Sequence, residues 1–284
     1  MAWIAYGLVY KGYKEVCFMQ TRKSRSDQWN PGNIIIQEII QKYQQGISAR
    51  QLGFEYDVAD VTITSFLRRH NIFIRNRSNA RRTNQIKEDV FDTITEESAY
   101  WIGFLLADGN VHHPPKRSKQ LNLGLAARDW EHLEKFKEFV GSNKALYYYK
   151  NSVFLSIYSN RIAEKLAEYG IVPRKSKIAK VPSILKNNRH FWRGMVDGDG
   201  WVSPRPDGLT DIGLCGIPNI VSGFKRFIET KLWYIPVPDI KPYRKLHYFW
   251  EIHYCGAYVH NILSELYLTS HIFLERKKLL ANGV

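Results

Sequence analysis

The 284-residue chain is short of cysteine, short of acid and free of long apolar runs, and each shortage excludes something. Its three cysteines, Cys17, Cys215 and Cys255, are odd in number and show no paired Cys-x-x-Cys spacing. That argues against a disulfide framework and a cysteine-rich zinc site, and suits free thiols in a reducing, intracellular compartment. No apolar stretch approaches the ~20 residues of a membrane-crossing helix. The segment Ala2–Tyr10 is short and no small-residue cleavage site follows it, so no secretory signal is expected. His112, His113, His247 and His253 lack ligand spacing with cysteine, and neighbours on a strand point to opposite faces, so zinc is not expected. Against 41 Lys and Arg stand only 27 Asp and Glu. The formal net charge of +14 points to a polyanionic partner. A 44% hydrophobic content is enough for a core, and the length leaves room for one large or two to three small domains.

What the chain does contain is a doubled motif. Tyr100–Asn110 reads Tyr-Trp-Ile-Gly-Phe-Leu-Leu-Ala-Asp-Gly-Asn, and Phe191–Trp201 reads Phe-Trp-Arg-Gly-Met-Val-Asp-Gly-Asp-Gly-Trp. Gly103 aligns with Gly194, Ala107 with Gly198, and Asp108 with Asp199, 91 residues further on. Gly103 and Ala107 share one helix face at i and i+4, as do Gly194 and Gly198. Small side chains there let two helix backbones approach closely, at a cost in helix propensity. Gly109 and Gly200 are expected as left-handed C-caps. Asp108 and Asp199 then fall at helix C-termini, where an anion opposes the macrodipole by roughly 0.3–1 kcal/mol. Two buried helices with capping aspartates would be the bland account, and the repetition argues against it. If the two faces pack together, the carboxylates emerge side by side, and a hard divalent ion with oxygen ligands fits them. A calcium loop does not fit, because Asp197-Gly-Asp199-Gly-Trp201 has Trp in fifth place and Val202 in sixth, where Gly is required.

Trp101–Gly109 and Trp192–Gly200 resemble the two signature motifs of the LAGLIDADG homing endonucleases. The resemblance covers about Glu96–Val284 and is specific because the motif is doubled. It implies an α+β fold of two pseudo-symmetric αββαββα repeats, 96–180 and 181–284, whose antiparallel sheets bind DNA. It implies that Asp108 and Asp199 carry the catalytic, metal-binding carboxylates, with Ala107 and Gly198 beside them and Mg²⁺ as the ion. The first motif has Leu106 where the second has Asp197, a position at which the family varies. Members of the family bring a lysine to the site after each repeat's last hairpin and helix. Lys175 and Lys277 match, and Lys177 and Lys278 remain as alternatives. The activity implied is double-strand cleavage at a specific site by a monomer. A non-catalytic DNA-binding regulator and an RNA maturase assisting intron splicing stay as alternatives. The regulator would be expected to have lost its acids.

The remaining pattern supplies the elements between the motifs. Hairpins are predicted around Pro114-Pro115, at Lys144–Tyr158, at Trp201–Cys215 and at Ile240–Tyr254, with helices between them and Asp129 capping one. Arg117, Lys119 and Asn122 in the first half, and Arg205, Lys241, Arg244 and Lys245 in the second, are the DNA-contact candidates on these strands and turns. Ahead of the repeats, 33–78 resembles the helix-turn-helix domains of recombinases and resolvases. Ile35, Ile36, Ile39, Ile40 and Tyr43 make one apolar stripe, Ser48 caps a second helix, and Asp60 caps a third with Val61, Ile63, Phe66 and Leu67 inward. Thr62, Thr64, Ser65, Arg68 and Arg69 then face outward toward a major groove. From Val61 to Lys87 there are seven basic residues and no acidic one. Arg75, Arg77, Arg81 and Arg82 form a basic arm suited to phosphates, in a stretch that runs into a linker over 79–95. Residues 1–32 read either as a hairpin, Ile4–Tyr10 with Tyr13–Met19, or as an extension.

Overall fold

The computed structural model describes residues 32–45, 47–74, 85–243 and 248–282. The chain separates into two compact units, 1–81 and 82–284. The proposed hairpin over residues 4–19, the basic arm Arg75, Arg77, Arg81 and Arg82, and Arg244 and Lys245 lie outside the described residues.

Among its described residues the first unit has three helices, α1 (Asn33–Gln44), α2 (Ala49–Glu55) and α3 (Asp60–Arg69). Ile39, Tyr43, Leu52, Ile63, Phe66 and Leu67 form its core. Ser48 and Gln51 close a reciprocal capping box at the start of α2. Two expectations fail here. Val61 is 66% exposed and Ile35 is also exposed, because α3 and α1 each bury only one narrow stripe. Asp60 is the first residue of α3 and accepts only from its neighbour Val61 N, so Ala59 occupies the capping position.

The second unit contains two copies of one element order. The first is α4 (Glu96–Ala107), β1 (Asn110–His112), β2 (Gln120–Ala126), α5 (Trp130–Phe139), β3 (Tyr147–Tyr149), β4 (Ser152–Tyr158) and α6 (Asn160–Glu168). The second is α7 (Arg189–Asp199), β5 (Gly200–Pro204), β6 (Thr210–Gly216), α8 (Pro218–Lys231), β7 (Lys241–Pro242), β8 (Trp250–Tyr254) and α9 (Val259–Tyr267), followed by α10 (Glu275–Asn282). Each copy builds a four-stranded antiparallel sheet, β1-β2-β4-β3 and β5-β6-β8-β7. Along β2 and β4 burial alternates strictly, so Leu121, Leu123, Leu125, Val153, Leu155 and Ile157 pack inward and the other face stays open.

At the centre of this unit α4 packs on α7. Residues Ser98–Leu106 of α4 are buried on every side, as expected of a core helix. A Thr95–Ser98 capping box starts α4, and Asn188 Oδ1 accepts from His190 N and Phe191 N to start α7. A Cβ at Gly103 would lie 2.1 Å from Phe191 O, and one at Gly194 would lie 2.1 Å from Tyr100 O. A Cβ at Gly198 would lie 2.4 Å from that of Ala107. The two helices therefore touch backbone to backbone, an approach that no larger residue permits. Glu96 clasps the repeats together. Its carboxylate accepts from Arg193 Nη2 at 2.8 Å and His271 N at 2.9 Å. Those hydrogen bonds and the Arg193 charge outweigh its burial and hold its pKa at about 2.

Three further expectations are corrected. Gly109 and Gly200 are not left-handed, Gly200 having φ −97° and ψ −177°. They are needed instead for close approach, because each helix runs straight into a strand. A Cβ would lie 2.6 Å from Leu105 O at Gly109 and 2.6 Å from Gly213 O at Gly200. Asp129 sits before α5 without a side-chain cap, its carboxylate being taken by Arg276 Nε at 3.1 Å. The stretch ahead of α4 is not a free linker in its described part. Phe91 is fully buried, Lys87 N donates to Val140 O, and Tyr169 Oη donates to Phe91 O.

Gly194→Ala should destabilise the second unit by about 1–3 kcal/mol, because Tyr100 O and Phe104 N must move aside. A lowered urea midpoint is the expected result, and an unchanged midpoint would show that the helices have room to spare.

Candidate active site

The α4–α7 contact decides where the carboxylates go. Both helices end at the same end of the pair, Asp108 following α4 directly and Asp199 being the last residue of α7. Asp108 Oδ2 lies beside the last turn of α7, 3.5 Å from where a Gly198 Cβ would be. Both carboxyl groups are pushed above the usual carboxylate range, first by burial. Asp199 rises to about 6, with the negative charge of Asp108 as the next cause.

Two lysines oppose that charge. Lys175 is buried and donates to Ala107 O at 3.0 Å. Lys277 is buried and donates to Val196 O at 2.6 Å, Asp197 O at 2.8 Å and Gly200 O at 2.7 Å. Both lysines oppose the rise of both carboxyl pKa values, while their hydrogen bonds stay within their own repeats, Lys175 with Ala107 O and Lys277 with Gly200 O. Burial lowers both ammonium pKa values, Lys277 to about 8. Lys177 and Lys278 go elsewhere. Lys177 is exposed over the Tyr248 ring, and Lys278 lies over Phe273 and donates to Ser270 O.

A cleft of about 390 Å³ opens beside Asp108 and Gly198, lined also by Arg128, Asp129, Asn151 and Arg276. Sequence reasoning did not single out Arg276 or Arg128, and took Asp129 only as a helix cap. A readable sign for the first existed, since Arg276 precedes Lys277 as Arg174 precedes Lys175. Cys215, expected only as a free thiol, donates from its half-buried sulfur to Asp199 O at 3.0 Å.

The oxygen donors placed here are two carboxylates and Ala107 O, which already accepts from Lys175, with Gly198 lining the cleft beside them. Among the described residues no three His, Cys, Asp or Glu side chains converge. That set fits Mg²⁺, which binds through one or two carboxylates and keeps waters or phosphate oxygens in its other positions, and it does not fit structural zinc.

The expected surface contacts are placed unevenly. Arg117 and Lys241 are exposed. Lys119 is held by Glu164 at 2.8 Å, and Arg205 by Asp207 at 3.0 Å. Asn122 lies on the open face of the first sheet, accepting from Ser156 Oγ and Gln120 Nε2. On α3, Ser65, Arg68 and Arg69 are exposed and Thr62 and Thr64 half-buried, the Thr64 hydroxyl turning back to Asp60 O. No helix among the described residues is long and apolar enough to cross a membrane.

Solved structures to which this chain is similar include LAGLIDADG homing endonucleases. I-GzeII in complex with its DNA target shares 11% identity over 67% of this chain and 89% of that one, with a TM-score of 0.46. I-AabMI bound to uncleaved DNA shares 13% over 67% and 89%, at 0.46. I-SmaMI bound to cleaved DNA shares 12% over 67% and 88%, at 0.43. No family model matches the chain, and no curated protein matches it.

Without divalent ions, Asp199→Asn should stabilise the fold at pH 7. The folded pKa of about 6 lies above the ordinary 3.8, so the stability that goes with the protonated carboxyl is complete below about 4 and lost as pH rises through 6. At about 1.4 kcal/mol per pKa unit, the advantage of the variant reaches at most ~3 kcal/mol at pH 7 and shrinks on acidification toward pH 4. Denaturant midpoints of both proteins from pH 4 to 7.5 test this, and a pH-independent difference would contradict it.

Proposed function

We propose that this chain is a site-specific double-strand DNA endonuclease of the LAGLIDADG homing type, using Mg²⁺. One observation carries the reading: Asp108 and Asp199 emerge side by side from two helices in backbone contact, with a buried lysine from each repeat beside them. Two carboxylates at one point, raised by burial and mutual repulsion, make a poor structural device and a good cation-binding one. A divalent ion held there supplies Lewis acidity toward a phosphodiester oxygen and its attacking water. The chain's own part is positional and electrostatic. Asp108 and Asp199, with Ala107 O and with Gly198 beside them, fix the ligand geometry. Lys277 and Lys175 oppose the negative charge that develops on the phosphate. Both lysines act on both carboxylates, so the site depends on both repeats, which suits a single chain that cuts two strands.

The open sheet faces fit the partner. Asn110, His112, Gln120, Asn122, Ser152 and Ser156 make a neutral polar face on the first sheet, able to hydrogen-bond base edges. The three-helix unit fits a helix-turn-helix, with α3 as the reading helix and Arg68 and Arg69 at its exposed end. Both acids are present with two buried lysines beside them, an arrangement a purely DNA-binding regulator would not need.

The enzyme should linearise a plasmid carrying the uninterrupted insertion locus of its own gene, with Mg²⁺ and not with EDTA. Asp108→Asn and Asp199→Asn should bind that DNA and not cut both strands. Full cleavage by either variant would remove the site assignment. Binding should fall with salt at a slope of about −0.9 per phosphate contact.

A truncated chain beginning near Gln85, so that the packed segment with Phe91 is kept, should still cut at high concentration. Its footprint should shorten on one side only. An unshortened footprint with full affinity would make the three-helix unit a structural cap.

A further inference from the structure

The two half-sites are not built alike, and the difference traces to one residue outside the cation-binding pair. Asp197 is the second repeat's counterpart of Leu106. Its carboxylate is 1% exposed and accepts three hydrogen bonds, from Tyr100 Oη at 2.8 Å, Tyr267 Oη at 2.7 Å and Leu274 N at 2.8 Å. These donors come from α4, from α9 and from the segment that starts α10. A buried carboxylate held by three donors is well satisfied, and losing one partner there is costly. The contact to Leu274 leads directly to the site. Leu274 O receives Lys277 N at 2.9 Å, the first turn of α10, and Lys277 Nζ returns to the Asp197 carbonyl at 2.8 Å. Asp197 thus holds Lys277 from both ends, through its carboxylate and through its backbone. Lys175 has one carbonyl contact, to Ala107 O, and the matching position 106 is a leucine whose side chain has no polar atom to offer.

We propose that Asp197 is a positioning residue for Lys277, which fixes that lysine in advance while Lys175 lacks such a brace. Resting on the nuclease reading above, the consequence is strand-selective: Asp197 governs cleavage of the strand that Lys277 serves and leaves the other strand to Lys175.

The test uses the full chain and a duplex carrying the target with each strand labelled differently, at saturating enzyme. Asp197→Asn keeps the shape and loses the charge. It should slow one strand roughly 10-fold or more, the size usual for loss of a group that orients a site residue, and leave the other near the wild-type rate. Lys277→Ala should affect that same strand and Lys175→Ala the opposite one. Tyr267→Phe removes a donor to the same carboxylate without touching Leu274, so it should lower stability and leave the ratio of strand rates unchanged. A second readout needs no cleavage: acetylation of lysines by acetic anhydride, followed by mass spectrometry. Lys277 should be protected in the wild-type chain and labelled faster in Asp197→Asn, with the Lys175 rate unchanged. Equal slowing of both strands, or unaltered labelling of Lys277, overturns the proposal. If the wild-type chain cuts neither strand, the nuclease reading falls and the labelling alone decides the positioning role.

Discussion

The contact between α4 and α7 sets the geometry of the second unit. Gly103 and Gly194 let each helix place its backbone against the carbonyls of the other, and Ala107 and Gly198 continue the contact to the helix ends. Backbone contact along this line leaves the two C-termini beside each other, so two carboxylates share one small volume. Their mutual repulsion and burial create a need for positive charge, which Lys175 and Lys277 meet in part. The sheets then follow, because Gly109 and Gly200 let each helix pass into a strand without a turn. A single close packing thereby fixes the site, its charge and the origin of both sheets.

The acid pair and its helices were legible in the sequence because close helix packing leaves so few solutions. Small residues four apart, followed by an acid and a glycine, and then all of it again, is a pattern that few other structures need. The choice of Lys175 over Lys177 and of Lys277 over Lys278 was not legible. Neighbouring lysines in one basic stretch look alike as sequence, and only burial separates them. The glycines after the motifs were placed correctly and explained wrongly. Sequence shows that a side chain is unwanted there, and does not show whether conformation or space is the reason.

The polar network around the site was the least visible part. Asp197 stood in the motif as a variable position, and Tyr100, Tyr267 and Leu274 give no local sign that they converge on it from up to 97 residues away. Arg276 and Asp129 pair across 147 residues, so no window of sequence contains both. Buried charge of this kind is settled by tertiary packing, whereas helix faces are settled by periodicity.

The Glu96 clasp bears on how the two copies relate. In a contact between identical halves, every pairing must occur twice, each residue meeting its counterpart's partner. Here it occurs once. Seven residues before the second motif glycine stands Asn187 in place of Glu96, and the first motif carries Ile102 where the second carries Arg193. Two first copies brought together would bury a carboxylate against isoleucine, and two second copies would bury a guanidinium with no acid to receive it. Each half has become the obligate complement of the other, and a chimera that exchanged one half would have to carry Glu96 or Arg193 and His271 along with it.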